Sequence, residues 1–366
     1  MTETIPSSSR LASLDLGRAL ASLGVVAIHA SAAVASQAQW RTSAWWFTNI
    51  LQSFAFWAVP FFFMSSGYLL LGPKTMESPS RFWQKRFFKI GIPTFFWIGF
   101  YLWWDWFRDP RCGETEIVKA LLTGNVSNHL YFLVALCGLS LLIPLLRGSI
   151  KEATGPALLG LGTALLGFMI FDYGACKYLG QWAQTSGTLP LWNLGYFLAG
   201  AGFQRLKSAQ WKQLEPWILP ALGIAWIGYL AGKTFEAIHF APPIQYYYTN
   251  SYFCPQLVLL SLAIFAWFLR NAKAKTWGTY PVVWKLSQLS FGLYLVHYAI
   301  LQSVQDWHAP WSRDGISGMI MDWAITVILS LGVVQILGSL PLFRWLFGLG
   351  KREHPIQPET KFSRNA

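Results

Sequence analysis

The sequence predicts an all-α polytopic membrane protein with about ten transmembrane helices and both termini in the cytoplasm. Three observations lead to this fold class: the composition, the apolar segments and the placement of the basic residues. Of the 366 residues, 54% are hydrophobic and 12% are charged, and 21 are tryptophans. Soluble domains carry about twice that share of charged residues, so the composition indicates an integral membrane protein.

Ten apolar segments are candidate spans, because a helix that crosses the bilayer needs about 20 mostly apolar residues. They lie near residues 12–36, 45–71, 87–107, 130–146, 155–171, 190–204, 217–232, 254–270, 286–305 and 318–347. The sixth segment is short for a span and the tenth is long. We therefore expect tilt, a kink or an added interfacial turn in each of these two.

One membrane domain, residues 12–347, is expected between a cytoplasmic N-terminal segment, residues 1–11, and a cytoplasmic tail, residues 348–366. The first apolar segment is long, contains charge and lacks a convincing small-residue cleavage site. It is therefore predicted to be retained rather than removed as a signal peptide. The chain shows no clear internal repeat of fixed period.

The basic residues predict the orientation. With the N-terminus inside, 20 of the 28 Lys and Arg residues fall on the cytoplasmic side, 7 fall outside, and Arg18 lies within the first helix. Basic residues accumulate in cytoplasmic loops, so this division favours cytoplasmic termini. The net charge of +12 then reflects topology, and no nucleic-acid partner is expected.

The four cysteines show neither CxxC pairing nor His/Cys metal spacing, so no metal is expected. Cys112, Cys176 and Cys254 are predicted to lie at or near the outer surface, whereas Cys137 lies within a helix. One external disulfide is therefore permitted.

The first helix contains two residues that the bilayer penalises, Arg18 and His29. They are eleven residues apart, about three turns plus 20°, so they project from one face roughly 16 Å apart along the axis. We interpret them as a polar track, with Arg18 near the cytoplasmic boundary and His29 toward the outer leaflet. The structural alternative is that Arg18 snorkels and pairs with Asp15 while His29 bonds to a neighbouring helix.

Small residues interrupt the aromatic end of the second span, "VPFFFMSSGYLLLG". They are Ser65, Ser66 and Gly67. Such residues let helix backbones approach closely, so we expect tight helix packing here.

A basic cluster follows in "RFWQKRFFKIGIP", where Lys85, Arg86 and Lys89 precede Pro93. Clustered cations of this kind suit phosphate groups. The alternative is ordinary anchoring of a cytoplasmic loop by positive charge.

Two further motifs contain polar residues predicted to lie within or beside spans. These residues are Asn128, His129 and Tyr131 in "NHLYFLVAL" and Ser290, Tyr294 and His297 in "LSQLSFGLYLVHYAIL". The first motif is expected at the outer mouth of the fourth span. Counted from Leu286, His297 reaches a depth similar to that of His29, so both histidines are expected to face one cavity.

Taken together, these pieces resemble the acyltransferase family 3 membrane O-acyltransferases, ten-helix bacterial enzymes that modify surface polysaccharides. The matching pieces are the Arg18-to-His29 spacing, "FFFMSSGYLL", the basic run ending at Pro93, "HLYFL" at 129–133 and "SFGLYLVH" at 290–297. The resemblance covers about residues 11–347. It is strongest to the standalone members, which lack an added extracytoplasmic esterase-like domain.

Two positions depart from the pattern of this family. The family often has Arg-x-x-Arg before the third helix, whereas this chain has Arg86-Phe-Phe-Lys89, which keeps the charge and loses one planar guanidinium fork. The tryptophan usual after the histidine of the fourth span is displaced, and Tyr131 and Phe132 stand in that neighbourhood.

The resemblance implies a multi-pass enzyme of the bacterial inner membrane. Acetyl-CoA from the cytoplasm would be the donor, and the acceptor would be a sugar hydroxyl on the outer side, in an exopolysaccharide, a lipid-linked repeat unit or another surface glycan. His29 would be the general base for that hydroxyl. Asp105 or Asp322 would orient His29, and the sequence does not choose between these two carboxylates.

The remaining site residues are assigned by the same resemblance. Arg18 would hold donor phosphate or pantetheine carbonyl groups, with Arg86, Lys89 and Lys85 at the cytoplasmic mouth of the track. Expected donors to the oxyanion and residues lining the substrate site are Ser65, Ser66, His129, Tyr131, Tyr294 and His297.

A competing hypothesis is a transporter or a flippase of polysaccharide assembly, in which the buried charges bind substrate during alternating access. That hypothesis predicts inverted repeats and broken helices in matching halves of the chain. The sequence shows neither clearly.

Overall fold

The chain is all-helical in the computed structural model, which describes residues 7–37, 42–72, 77–109, 114–124, 126–127, 129–179, 185–239, 249–308 and 315–349. Within these ranges the α-helices are α1 Ser7–Gln37, α2 Ser43–Ala55, α3 Ala58–Leu70, α4 Pro79–Arg86, α5 Ile92–Arg108, α6 Glu114–Thr123, α7 Tyr131–Ser149, α8 Gly155–Leu179, α9 Leu189–Arg205, α10 Ser208–His239, α11 Pro255–Arg270, α12 Ala272–Trp277, α13 Pro281–His308, α14 Ile316–Leu337 and α15 Pro341–Arg344. A π-helical turn, Phe87–Gly91, joins α4 to α5, and a 3₁₀ turn, Trp345–Phe347, follows α15.

The predicted all-α fold class is confirmed, and each of the ten predicted segments coincides with a helix or with consecutive helices. In the part of the chain that the structure describes, six helical segments are long and apolar enough to cross a membrane: Ala12–Ala32, Ser43–Leu70, Tyr131–Ser149, Gly155–Lys177, Ser208–His239 and Ile316–Leu337. The apolar α11 is shorter. The total of ten spans and the orientation of the termini stay predictions.

Two predicted spans are interrupted. The second consists of α2 and α3 with a turn at Phe56 and Trp57, and Pro60 lies in the first turn of α3, where its missing N–H costs no helical hydrogen bond. The tenth ends as a continuous helix at Leu337 and resumes at Pro341. Such an interruption agrees with the kink or added turn expected for that long segment.

Helix α1 occupies the centre of the bundle, where it packs against α2, α3, α13 and α14. The central position carries the polar residues of α1 into the interior. Asp15, Arg18 and His29 are therefore only partly exposed, whereas many of the large exposed apolar side chains lie on α5, α8 and α10.

The predicted close helix approach at Gly67 is confirmed, and the partner helix is α9. A Cβ atom at Gly67 would lie 1.8 Å from the Phe197 carbonyl oxygen, and one at Gly200 would lie 2.0 Å from the Met64 carbonyl oxygen. The two backbones meet at these glycines, which fixes α3 and its serines against the rest of the bundle.

We expect Gly67→Ala to lower the stability of the detergent-solubilised protein by about 1–3 kcal/mol or more, because the added methyl group forces two helix backbones apart. Gly99→Ala in α5 is the matched control, since no atom lies within 4 Å of its added Cβ. Thermal unfolding of both variants measures the difference. Equal melting temperatures for Gly67→Ala and the unsubstituted protein would contradict the packing of α3 on α9.

The three cysteines within the described residues, Cys137, Cys176 and Cys254, are free thiols. A Cys176–Cys254 disulfide, one of the pairings that the sequence permits, is therefore not formed. Cys112 lies outside the described residues.

Candidate active site

A cavity of about 690 Å³ opens between α1, α3, the π-helical turn, α13 and the C-terminal segment. Its polar and charged lining consists of Asp15, Arg18, Ser65, Ser66, Arg86, Lys89, Ser287, Gln288, Ser290, Tyr294 and Arg344. Among these described residues, four cations stand against one carboxylate. The lining thus has a strong positive excess, which favours an anionic ligand.

Arg18 is held loosely on the cavity wall. Its Nη1 lies 3.9 Å from Oδ1 of Asp15, at the limit of an ion pair, and its side chain is 31% exposed. The Ser287 hydroxyl donates a 2.8 Å hydrogen bond to the same Asp15 oxygen. Asp15 is therefore held chiefly by α13, and the Arg18 guanidinium can turn toward a ligand in the cavity.

The π-helical turn carries the basic cluster to the cavity. Pro93 has no N–H to donate to the Lys89 carbonyl, which removes one α-helical hydrogen bond at this point. The Ile92 N–H bonds to the Phe87 carbonyl, five residues earlier, in the wider turn that results. Turns of this kind are frequent at functional sites, and here Lys89 lines the same cavity as Arg86.

Arg86 is a partly buried cation beside a second arginine. The guanidinium carbons of Arg86 and Arg147 lie 5.4 Å and 4.4 Å from the centroid of the Phe82 ring, and Nε of Arg86 has no hydrogen-bond partner among the described residues. Burial and then the neighbouring Arg147 lower the pKa of Arg86, and Glu77 opposes them. Because arginine keeps its proton in proteins, a bound anion would stabilise this group.

Lys85 lies outside the cavity lining. Its ammonium donates a 2.5 Å hydrogen bond to Glu77, and this bond is the largest cause of a lowered pKa at Glu77. The predicted role of Lys85 in donor binding stays a prediction.

Tyr294 lines the cavity and also contacts a cluster of three histidines, His29, His129 and His297. The ring centroids of His29 and His297 are 5.3 Å apart, those of His129 and His297 are 5.0 Å apart, and those of His29 and His129 are 6.1 Å apart. Tyr294 contacts this cluster directly, because its hydroxyl donates to the His129 carbonyl oxygen. The three imidazoles come from α1, from the residues before α7 and from α13, and the proximity expected for His29 and His297 is observed.

Among the three histidines, the described hydrogen bonds define the proton position at His297, where Nδ1 lies 2.7 Å from the Tyr294 carbonyl oxygen. A carbonyl oxygen only accepts, so Nδ1 carries the proton and Nε2 of the neutral ring is an acceptor. That Nε2 atom has no hydrogen-bond partner among the described residues, and neither has Nε2 of His129. His129 Nδ1 contacts the Ser127 hydroxyl at 3.1 Å.

His29 is the histidine without a hydrogen bond to the described part of the chain. Its ring contacts those of His129, His297 and Tyr298. Neither Asp105 nor Asp322 hydrogen bonds to His29. Among the described residues, the carboxylate that was expected to orient His29 is therefore not observed. The His29 imidazole does not line the cavity described above, but no hydrogen bond to a described residue occupies its ring nitrogen atoms.

The structure places the other predicted residues as follows. Ser65 and Ser66 line the cavity, and the buried Ser65 hydroxyl has no hydrogen-bond partner among the described residues. Tyr131 is not in the lining and stacks on Tyr252 with ring centroids 6.2 Å apart. Asn128 lies outside the described residues.

Sequence reasoning missed several residues of this region. Tyr101 and Tyr298 place their rings 4.8 Å and 5.2 Å from that of His129, and Trp284 and Arg344 line the cavity. From the sequence, Arg344 was only one of the basic residues on the cytoplasmic side, and nothing marked it as a site residue. The tyrosines carried none, because tyrosine is common in membrane helices near the interface.

Comparison with protein families identifies the chain. A family model described as an acyltransferase domain, that of acyltransferase family 3, matches residues 11–339, about nine-tenths of the chain. Comparisons with curated proteins and with solved structures give no match. Within the described ranges, no group of three or more His, Cys, Asp or Glu residues is placed to hold a metal ion.

Proposed function

The chain belongs to acyltransferase family 3 and is a membrane acyltransferase, and we propose that it is an O-acetyltransferase of the bacterial inner membrane. The proposed donor is cytoplasmic acetyl-CoA. The proposed acceptor is a sugar hydroxyl of an exopolysaccharide, or of another surface glycan presented as a lipid-linked repeat unit, on the outer side. The observation that carries this proposal is a cation-lined cavity that reaches Tyr294, whose ring contacts those of His129 and His297 in the histidine cluster.

The cavity suits the phosphate end of the donor. Arg18, Arg86 and Lys89 line it together, and guanidinium and ammonium groups bind phosphate through charge-assisted hydrogen bonds. Arg18 and His29 are roughly 16 Å apart along α1. An extended pantetheine arm would bridge that distance and bring the thioester to the histidine cluster.

In the chemical step, His29 acts as general base. It accepts the proton of the sugar hydroxyl while the sugar oxygen forms a bond to the acetyl carbonyl carbon. The tetrahedral oxyanion then collapses, the carbon–sulfur bond breaks, and the CoA thiolate takes the proton from the His29 imidazolium. The products are the acetylated sugar and free CoA, with no net gain or loss of protons.

The hydrogen bonds of the candidate oxyanion donors favour the serines. The Tyr294 hydroxyl already donates to the His129 carbonyl, and Nε2 of neutral His297 is an acceptor. Ser65 has a hydroxyl with no described partner and is the best candidate donor, with Ser66 beside it. His297 is better suited to accept a hydrogen bond from the sugar.

The test is acetyl transfer by the purified protein in nanodiscs. Radiolabelled acetyl-CoA is supplied with the membrane glycan fraction, and free CoA thiol and labelled glycan are measured together. We expect free CoA thiol and labelled glycan to appear at the same rate. Mass spectrometry of surface glycans from cells with and without the protein would identify the acetylated sugar. A transporter or flippase would release no CoA.

We expect Arg86→Ala and Lys89→Ala each to weaken acetyl-CoA binding about tenfold, since each removes a charge-assisted hydrogen bond. The loss should be larger at low salt, where attraction between charges is least screened, and kcat should change little. Lys151→Ala removes an exposed cation outside the cavity and serves as the charge-matched control. If acceptor affinity falls while donor affinity is unchanged, the basic cluster is only a topology anchor.

A further inference from the structure

The C-terminal segment, residues 341–349, folds back to form one wall of the cavity. The 3₁₀ turn after α15 ends at Gly348, which has a φ of 61°, a backbone conformation that favours glycine. The Gly348 N–H bonds to the Trp345 carbonyl at 3.2 Å, and the Leu349 N–H bonds to the Arg344 carbonyl at 3.0 Å. This tight turn sets Arg344, Gly348 and Leu349 along the cavity.

The segment is anchored on the elements that carry the basic cluster. Nε1 of Trp97 in α5 donates a 2.8 Å hydrogen bond to the Leu346 carbonyl, and Phe347 is 2% exposed. A Cβ atom at Gly348 would lie 3.0 Å from the Lys89 carbonyl oxygen, so the backbone touches the π-helical turn. These contacts fix the segment against the π-helical turn, and Arg344 lines the same cavity as Lys89.

Two side chains that line the cavity have the chemistry of a nucleotide site. Arg344 donates a 3.1 Å hydrogen bond to the Gly338 carbonyl, which orients its guanidinium. Trp284, at the start of α13, lines the same cavity and is 39% exposed. A guanidinium fork matches phosphate oxygens, and an exposed indole face is a platform on which a purine stacks.

The positive excess among the described lining residues, three charges, approaches the negative charge of the CoA phosphates. Arg18, Arg86 and Lys89 together exceed the single Asp15 carboxylate by two charges, which balances the two charges of a diphosphate. Arg344 is one cation more. CoA differs from its dephospho form by a phosphate monoester on the ribose, with about 1.5 to 2 negative charges near neutral pH, and the fourth cation complements that group.

We propose that Arg344 and Trp284 form a subsite for the nucleotide end of the donor. Arg344 binds the 3′-phosphate of the adenosine, and Trp284 stacks on the adenine. This subsite rests on the proposed function, in which the donor is acetyl-CoA, and it extends that proposal. It makes the nucleotide, rather than the acyl group or the pantetheine arm, the feature by which the enzyme distinguishes donors.

The experiment compares acetyl-CoA, acetyl-3′-dephospho-CoA and S-acetylpantetheine. KM and kcat are measured for transfer, and binding of CoA, 3′-dephospho-CoA and pantetheine is measured separately by calorimetry. We expect the unsubstituted protein to prefer acetyl-CoA to its dephospho form at least tenfold in KM. Arg344→Gln should remove this preference without changing KM for the dephospho donor, and Arg344→Lys should restore part of it.

Trp284→Leu gives an independent test. It should raise KM about tenfold for both nucleotide donors and leave S-acetylpantetheine unaffected, with kcat unchanged. Lys285→Gln is the control, because Lys285 is the exposed neighbour of Trp284 and does not line the cavity.

Two results would overturn the subsite. One is equal KM values of the unsubstituted protein for acetyl-CoA and the dephospho donor, a comparison that depends on no variant. The other is an equal loss for all three donors in Arg344→Gln, which would make the segment a structural support only. If the unsubstituted protein neither turns over acetyl-CoA nor binds CoA, the proposed function is contradicted. If the protein binds CoA more tightly than dephospho-CoA, and this preference depends on Arg344, but no acetyl group is transferred, the subsite is supported and the proposed reaction is contradicted.

Discussion

His29→Ala is expected to reduce acetyl transfer by about 10²–10⁴-fold, the contribution typical of a positioned general base. The structure gives two reasons for choosing His29 among the three clustered histidines. His129 and His297 are each held at Nδ1, by the Ser127 hydroxyl and the Tyr294 carbonyl. His29 has only ring contacts within the described chain, so no described group competes with a substrate for its nitrogen atoms.

The measurement is kcat of purified His29→Ala with saturating acetyl-CoA, together with its melting temperature and CoA affinity. Both of the latter should stay close to those of the unsubstituted protein, because the base acts on the acceptor. His239→Ala is the matched control, since His239 is an exposed histidine at the end of α10 that stacks on Phe235. Near-normal turnover by His29→Ala would refute the assignment of His29 as base.

Two of the three clustered histidines could be placed together from the sequence, by counting residues along the predicted helices. His29 and His297 were expected at similar depth, and their rings lie 5.3 Å apart. The prediction succeeds because both residues lie in continuous helices, where each residue adds a fixed rise. His129 precedes the start of α7, and its position depends on the chain outside a helix, which a fixed rise does not describe.

The wall formed by residues 341–349 could not be predicted in the same way. Its position depends on a left-handed turn at Gly348 and on a hydrogen bond from Trp97, a residue 249 positions before its partner Leu346. Apolar periodicity carries no information about either. The sequence therefore predicted the helices around the cavity but not the segment that completes it.

The interruption between α2 and α3 shows a related limit. Residues 45–71 are mostly apolar, and hydropathy measures only whether a segment suits the bilayer. The turn at Phe56 and Trp57 is held by a contact between near neighbours in the sequence. The Trp57 indole N–H donates a 2.6 Å hydrogen bond to the Phe54 carbonyl. Pro60 is a residue in this segment that indicates a nearby helix start, because proline is favoured in the first turn of a helix.

Arg18→Lys is expected to insert and fold normally while acetyl-CoA affinity falls about tenfold or more. Lysine keeps the charge but replaces a planar group with five donors by a compact ammonium, which cannot contact two oxygens of one phosphate in the same fork geometry. Asp15→Asn should have the smaller effect on stability, because the asparagine oxygen can still accept the hydrogen bond from Ser287. Donor binding should tighten or stay constant in Asp15→Asn, since a negative charge leaves the cavity.

If Arg18 had only a structural role, Asp15→Asn would be more damaging than Arg18→Lys. The lysine would snorkel and keep the ion pair at small cost, whereas loss of Asp15 would leave a buried cation without its partner and be the more damaging change. The 3.9 Å separation between Arg18 and Asp15, compared with the 2.8 Å bond from Ser287 to Asp15, argues against that order. Acetyl-CoA affinity, transfer rate and melting temperature, measured side by side for the two variants, decide between them. Stable Arg18→Lys protein with unimpaired binding and transfer would show that Arg18 does not contact the donor, and the cation-lined cavity would then have to bind it through Arg86, Lys89 and Arg344 alone.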